Sequence, residues 1–247
     1  MSNTEYLDVF LSVQAFQEEE LRGKTAVIID VLRACSSMTT ALHNGAKKII
    51  PVADMGDASK IAQTMDAHDF LLCGEKNGVK IDGYHLGNSP LEYTEEAVKD
   101  KTLIFNTTNG TKAIKKSGLA NHIYLGTFLN QKALVDELRD HDDEIILICS
   151  GWHGRQSIED TLFAGAVIHD LYNGTLPVTA RDGVKMAFGL YEQHKSDIEA
   201  AIQASDHARR LQSLEVKKDI AFCCQVDTFS VLPGMKDGIL TDLNGQG

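Results

Sequence analysis

The stretch Ile145 to Leu171, IILICSGWHGRQSIEDTLFAGAVIHDL, runs a buried strand, a polar glycine loop and an amphipathic helix together as one unit. Ile145 to Ile148 is an unbroken apolar run, as expected of a strand covered on both faces. Ser150-Gly151-Trp152-His153-Gly154-Arg155 follows, and Gly151 and Gly154 let the backbone approach a ligand. Ser157 with Asp160 three residues on reads as a helix cap with an acidic partner, while Ile158, Leu162, Phe163, Ala166 and Val167 share one helical face. A loop of this kind, at the carboxyl end of a strand and feeding the amino end of a helix, is where open α/β sheets hold phosphate. Arg155 adds a fork of donors suited to phosphate oxygens. The plainer reading leaves Arg155 at the surface and makes Ser157 and Asp160 a capping box only.

Outward from this unit the chain alternates strands and helices. Tyr6 to Ser12 reads as a first strand and Ala26 to Val31 as a second, ending on Asp30 and running into a loop and helix closed by Gly45. Lys48 to Ala53 is a strand, Asp57 to Ala67 a helix, and Phe70 to Glu75 a strand with Glu75 at its carboxyl end. Lys76 to Asn88 is polar, glycine-rich and without periodicity, a candidate lid or binding loop. Ser89-Pro90 opens a short helix. Strands at Thr102 to Thr108 and at HIYLGT alternate with helices after Asn109-Gly110-Thr111 and from Asn130 to Arg139. Helical stretches follow at Arg181 to His194 and Asp197 to about Leu214, and Asp219 to Leu243 reads as strands and turns.

The segments beginning at Ala26 and at Thr102 share the order strand, polar loop, helix, strand, helix, with Asp30 opposite Asn106. This weak repeat predicts two similar βαβ halves, closely packed, within one α/β unit of 1–247 that has a mostly parallel sheet flanked by helices. No proline- or serine-rich linker divides the chain. Right-handed crossovers would bring the loops after the strands to one edge, gathering Asp30, Arg33 and Ser36 with Glu75, Thr107, Thr108, Asn109, Arg155, Glu159 and Asp160.

The chain has 247 residues and a formal net charge of −11, which argues against nucleic acid or an anionic membrane as the main partner. An anionic ligand must therefore meet local cations or a bound metal. The amino terminus carries no leader pattern and no run of eighteen apolar residues exists, so the expected location is the cytoplasm. Five cysteines without CxxC spacing indicate neither a disulfide framework nor structural zinc.

Four carboxylates and two arginines, with hydroxyls and glycines, are what phosphoryl chemistry on a small phosphomonoester requires: oxygen ligands for Mg²⁺ and cations for the phosphoryl charge. Asp30, Glu75, Glu159 and Asp160 are the candidate metal ligands. GxGxxG after a strand, GxxxxGK[ST] and GxSxG are all absent. Cys149 and Arg155 have the spacing of a cysteine-dependent phosphatase loop, although a cysteine that ends an apolar strand is more often buried and inert. Asp30 could be a loop cap, Glu75 a surface acid and Glu159 a solvated first-turn acid. His153 and His85 lie in candidate site loops. His43, His68, His122, His141 and His169 lack metal-ligand spacing and read as surface or core groups.

At these residues the sequence resembles the 2-phosphosulfolactate phosphatase family. The resemblance rests on IDVLRACS (Ile29 to Ser36), LCGEKNGVKIDGYHLGNSPLEY (Leu72 to Tyr93), NTTNGTKA (Asn106 to Ala113), CSGWHGRQSIEDTLFAGA (Cys149 to Ala166) and AFCCQVDTFSVLP (Ala221 to Pro233), ordered along nearly the whole chain. It implies an α/β fold, self-association as a dimer, and a magnesium-dependent acid phosphatase of the coenzyme M pathway. The reaction implied is hydrolysis of (2R)-2-phospho-3-sulfolactate to 3-sulfolactate and phosphate. Asp30, Arg33, Glu75, Asn88, Thr108, Asn109, Arg155, Glu159 and Asp160 match the family pattern. Cys35 and His153 stand where the family would have Thr and an acid, which leaves substrate selectivity open.

The site expected on this footing has Mg²⁺ on Asp30 and one or more of Glu75, Glu159 and Asp160. Arg155 and the loop amides, with Gly110 and Gly154 giving backbone access, would carry the remaining phosphoryl charge. Arg33 would read the substrate carboxylate or sulfonate, beside Ser36, Asn88, Thr108 and Asn109. The nucleophile stays open among water, Asp30 and Cys149, and a non-catalytic binder of a phosphorylated metabolite is the alternative of another class.

Overall fold

The structure, a computed structural model, describes residues 7–213 and 217–245. In chain order the strands and helices are β1 (Leu7–Phe10), β2 (Thr25–Ile29), α1 (Ala34–His43), β3 (Lys48–Pro51), α2 (Met55–Ala62), β4 (Phe70–Lys76), β5 (Val79–Lys80), α3 (Glu95–Val98), β6 (Thr102–Asn106) and α4 (Gly110–Lys116). Then come β7 (His122–Gly126), α5 (Gln131–Arg139), β8 (Ile145–Cys149), α6 (Ile158–Leu171), α7 (Asp182–His194), α8 (Ile198–Gln203), α9 (Asp206–Gln212), α10 (Lys217–Cys223), β9 (Pro233–Lys236) and β10 (Ile239–Asp242). Tyr6 and Leu214, the ends of two expected elements, lie outside the described residues.

Continuous apolar runs became strands because both faces of the sheet are covered. In β2, Val27 and Ile29 enter one core with Leu162, Phe163, Ala166 and Val167 of α6. Ala26 and Ile28 enter the opposite core with Met38, Ala41 and Leu42 of α1. β8 divides in the same way, Leu147 and Cys149 to the first core and Ile146 and Ile148 to the second. The period of two thus survives as a choice of layer, although the sequence shows no polar alternation. α6 is not amphipathic as expected: α7 packs along its outer side, so both flanks are buried and only Ile158 at its start is exposed.

One ten-stranded sheet has the order β1-β8-β2-β7-β9-β10-β3-β6-β4-β5. It is α/β and mostly parallel, with the β9-β10 hairpin joining the parallel group β1-β8-β2-β7 to the parallel group β3-β6-β4. Both repeat units are present, β2-α1-β3-α2 and β6-α4-β7-α5, and they interlace. β2 pairs with β7 and β3 with β6, so each unit begins in one group and ends in the other.

The pairings β7-β9, β9-β10 and β10-β3 are all antiparallel, so the two groups run in opposite senses along the sheet. The loops therefore do not gather at one edge, as crossovers in a wholly parallel sheet would place them. They meet across the middle, where α1 and α4 pack on each other and Gly110 abuts the loop after β2. The last segment departs from the expected strands and turns. Lys217–Cys223 is helical, with Ile220 and Cys223 three apart on its buried face and Asp219 drawn inward by an ion pair, so tertiary contacts override an ambiguous apolar run. Among the described residues no helix is long and apolar enough to cross a membrane.

Candidate functional site

A cavity of about 260 Å³ lies where the loops after β2, β4 and β6 approach α9. Asp30, the first residue after β2, stands on its wall, and its Oδ1 accepts the Ala34 amide at 3.1 Å. Gly110 opens α4 directly against it. A Cβ there would lie 2.9 Å from Asp30 Oδ2 and 2.7 Å from the Ala34 Cβ, so a side chain would force the two loops apart. Burial pushes the Asp30 carboxyl up to about 6, with Glu75 and Glu159 acting in the same direction and the Ala34 amide and His207 opposing.

Glu75, at the end of β4, accepts the Gly78 amide on Oε2 at 2.6 Å and the Thr108 amide on Oε1 at 2.7 Å. It thereby ties the β4-β5 turn to the loop after β6. Of the segment read as a lid or binding loop, Lys76 to Lys80 closes a hairpin with β4 whose turn, Asn77-Gly78, lines the cavity. Thr107, Thr108 and Asn109 line it too, and Asn109 is the N-cap of α4 with no capping bond from its side chain. Asn88 adds a buried Oδ1 that accepts no hydrogen bond from the described residues.

Arg33 also reaches the wall, but it is 4% exposed and its fork is occupied. Nη1 donates to Asp219 Oδ2 at 2.5 Å and Nη2 to the Gly78 carbonyl at 3.1 Å, while Ser89 Oγ donates to the other Asp219 oxygen at 2.7 Å. From α9, His207 lines the cavity with Nδ1 against Glu159 Oε1 at 2.6 Å and its ring stacked on Trp152, centroids 5.2 Å apart. Glu159 is 1% exposed and its Oε2 has no partner among the described residues. Arg210 joins the wall one helical turn beyond His207.

A family profile described as 2-phosphosulpholactate phosphatase matches residues 10–238. The chain belongs to that family. A probable 2-phosphosulfolactate phosphatase of Caldanaerobacter subterraneus subsp. tengcongensis is 39% identical over 95% of this chain and 97% of its own length. Proteins of the same description from Clostridium acetobutylicum and Thermotoga petrophila are 36% identical over 94% of this chain and 98% of theirs, and 41% over 87% and 91%. The span that defines 2-phosphosulpholactate phosphatase family membership contains every residue of the cavity wall.

Of the residues expected from sequence, Asp30, Arg33, Glu75, Asn88, Thr108 and Asn109 come together on this wall, and Gly110 shapes it from behind. Thr107 and His153 line it as well, while most of the others stand elsewhere. Asp160, expected to be catalytic and a metal ligand, is buried outside the lining. Its Oδ1 accepts the Val31 amide at 2.9 Å and its Oδ2 the Gly151 amide at 3.0 Å, and burial, Glu159 and Asp30 all push its carboxyl up. Ser157 sits at the N-cap of α6 without forming the expected capping bond. Ser36 is fully buried and donates to the Val31 carbonyl, so its hydroxyl braces a loop.

Cys149 has no exposure and packs in the core. Burial, followed by Asp160 and Glu159, pushes its thiol well up, so no thiolate faces a substrate. Arg155 is exposed and outside the lining, and Gly154 adopts φ +74° against the Gln14 side chain. His85 accepts the Leu72 amide away from the cavity, whereas His153 lines it. Sequence reasoning missed Asp219, His207, Arg210 and Trp152 as wall or support residues. For three of them no motif marks the position, but the i, i+3 pair His207 and Arg210 on one helical face was a usable signal.

Among the described residues no three His, Cys, Asp or Glu form a ready metal cluster. The four expected carboxylates separate accordingly, Asp30 and Glu75 on the wall, Glu159 behind His207, and Asp160 on backbone amides. Two carboxylates suit Mg²⁺, which is commonly bound by one or two, with water and substrate phosphate completing its oxygen shell.

Proposed function

We propose that this cavity hydrolyses 2-phosphosulfolactate to sulfolactate and phosphate, with Mg²⁺ held by Asp30 and Glu75. The observation that carries the reading is the grouping in one cavity lining of two carboxylates with donors from His207 and Arg210. The names that the relatives carry point to the same substrate. An anionic ester beside Asp30 and Glu75 needs an added cation, because Arg33 is already offset by Asp219. When bound, Mg²⁺ supplies positive charge where the phosphoryl oxygens gain negative charge in the transition state.

The chain's own groups divide the remaining work. Asp30 must be ionised to hold a cation, and the Ala34 amide on Oδ1 helps to keep it so despite burial. Glu75 fixes the Thr108 amide and the Gly78 turn, which sets the width of the cavity. His207, oriented by Glu159 on Nδ1 and by the Trp152 face, presents Nε2 to the cavity when protonated. Water adds to phosphorus, the ester P–O bond breaks with its electron pair going to the substrate oxygen, and that oxygen takes the Nε2 proton. The imidazole regains a proton from the attacking water. Cys149 has no place in this sequence.

Release of inorganic phosphate from 2-phosphosulfolactate by purified protein, with Mg²⁺ and with excess EDTA, tests the reading. Turnover that depends on Mg²⁺ is expected. Tight binding of the ester without any phosphate release would make the protein a binder, and full activity in EDTA would remove the metal.

A further inference from the structure

We infer that Arg210 is the residue that reads the second acid group of the substrate, which makes α9 the specificity element of the site; this rests on the phosphatase reading above. Arg33, the nearer match to a family motif, is poorly placed for that task. Its charge is matched by Asp219, a second donor is spent on the Gly78 carbonyl, and it is almost wholly buried, so binding a further anion would break a desolvated pair.

Arg210 differs on each count. It lines the same cavity, is solvent-exposed, and its one recorded side-chain donation is to the neutral Ser213 hydroxyl at 3.2 Å. No carboxylate pairs with it among the described residues, and it shares a helical face with His207. A guanidinium offers two parallel donors, the geometry that a carboxylate or sulfonate accepts. With the phosphoryl group at Asp30 and Glu75, an acid one or two carbons away needs a cation in the same lining, and Arg210 of α9 belongs to it. Arg209, the next residue along, supplies an internal control. It is paired with Asp206 and bound to the Ala204 carbonyl, and it lies outside the cavity lining.

Steady-state kinetics of wild type, Arg210→Ala, Arg210→Lys and Arg209→Ala on 2-phosphosulfolactate and on p-nitrophenyl phosphate, which has no second acid, test this. For Arg210→Ala a loss of roughly 10- to 100-fold in kcat/KM on 2-phosphosulfolactate is expected, carried mainly by KM, with less than about a threefold change on p-nitrophenyl phosphate. Arg210→Lys should recover part of the loss, and Arg209→Ala should match wild type on both. Equal losses on the two esters, or no loss on 2-phosphosulfolactate, would overturn the assignment. If wild type cleaves only p-nitrophenyl phosphate, the substrate reading fails by itself, and 2-phospholactate replaces the acid-bearing ester in the same comparison. If wild type cleaves neither, calorimetric binding of 2-phosphosulfolactate decides, and unchanged affinity in Arg210→Ala rejects the role.

Discussion

β2 and β8 are paired strands, and a carboxylate follows each, yet Asp30 and Asp160 have opposite fates. Asp30 spends one oxygen on the Ala34 amide and leaves the other beside Gly110 at a cavity wall. Asp160 turns inward and accepts an amide on each oxygen, one from Val31 in the β2 loop and one from Gly151 in its own. Asp160 thus holds in place the residue that follows Asp30. Both groups pay for burial with raised pKa values, so a perturbed carboxyl alone does not separate a reacting group from a brace. What separates them is place: Asp30 stands on the cavity wall, as does Glu75 although both its oxygens accept amides, whereas Asp160 lies outside the lining.

Substitution at the two positions should break this pair apart. Asp30→Asn is expected to lose about a hundredfold or more in kcat for phosphate release while folding normally, as checked by circular dichroism. Asp160→Ala leaves two buried amides without an acceptor and should lower unfolding free energy by about 2–5 kcal/mol in urea titrations, with activity following the folded fraction. A fully stable but inactive Asp160→Ala protein would reverse the two roles.

Acidity sharpens the contrast. Because the Asp30 carboxyl is pushed from 3.8 up to about 6, the folded chain holds more protons than the unfolded one between these values, so this group's contribution to stability falls as pH rises through that window. Asp30→Asn should therefore flatten the fall and raise the melting temperature at pH 7 by about 3 °C or more in metal-free protein. A steeper fall in the variant would contradict the burial argument. Smaller effects are expected in the loop after β8. Cys149→Ser should keep activity within about threefold and iodoacetamide should not inactivate the native protein, since the thiol is buried and protonated. Arg155→Ala should cost less than about tenfold, because its side chain stands outside the cavity.

The sheet was legible because its strands are buried on both faces: runs such as Ile145 to Ile148 admit few other readings. Asp30, Glu75 and the Thr107 to Asn109 loop were legible because each directly ends or follows such a run. The reversal between the two parallel groups was not, since the β9-β10 hairpin that causes it touches each group at a single residue pair. Nor could local pattern show that both oxygens of Asp160 are taken by the Val31 and Gly151 amides. α10 depended on one distant ion pair, Arg33 with Asp219, 186 residues apart. The i, i+3 pair His207 and Arg210 was legible as one helical face, but that this face turns toward the site depends on the Glu159 bond to His207 and on packing against α8 and α10.

Calorimetric titration of Mg²⁺ into wild-type and Asp30→Asn protein at pH 7.5, with saturating inorganic phosphate, tests the central claim without relying on turnover. Asp30 and Glu75 as the metal-holding pair predict saturable binding to wild type and an affinity at least about tenfold weaker in Asp30→Asn. Equal Mg²⁺ affinity in the two proteins would contradict it and place the metal elsewhere in the fold.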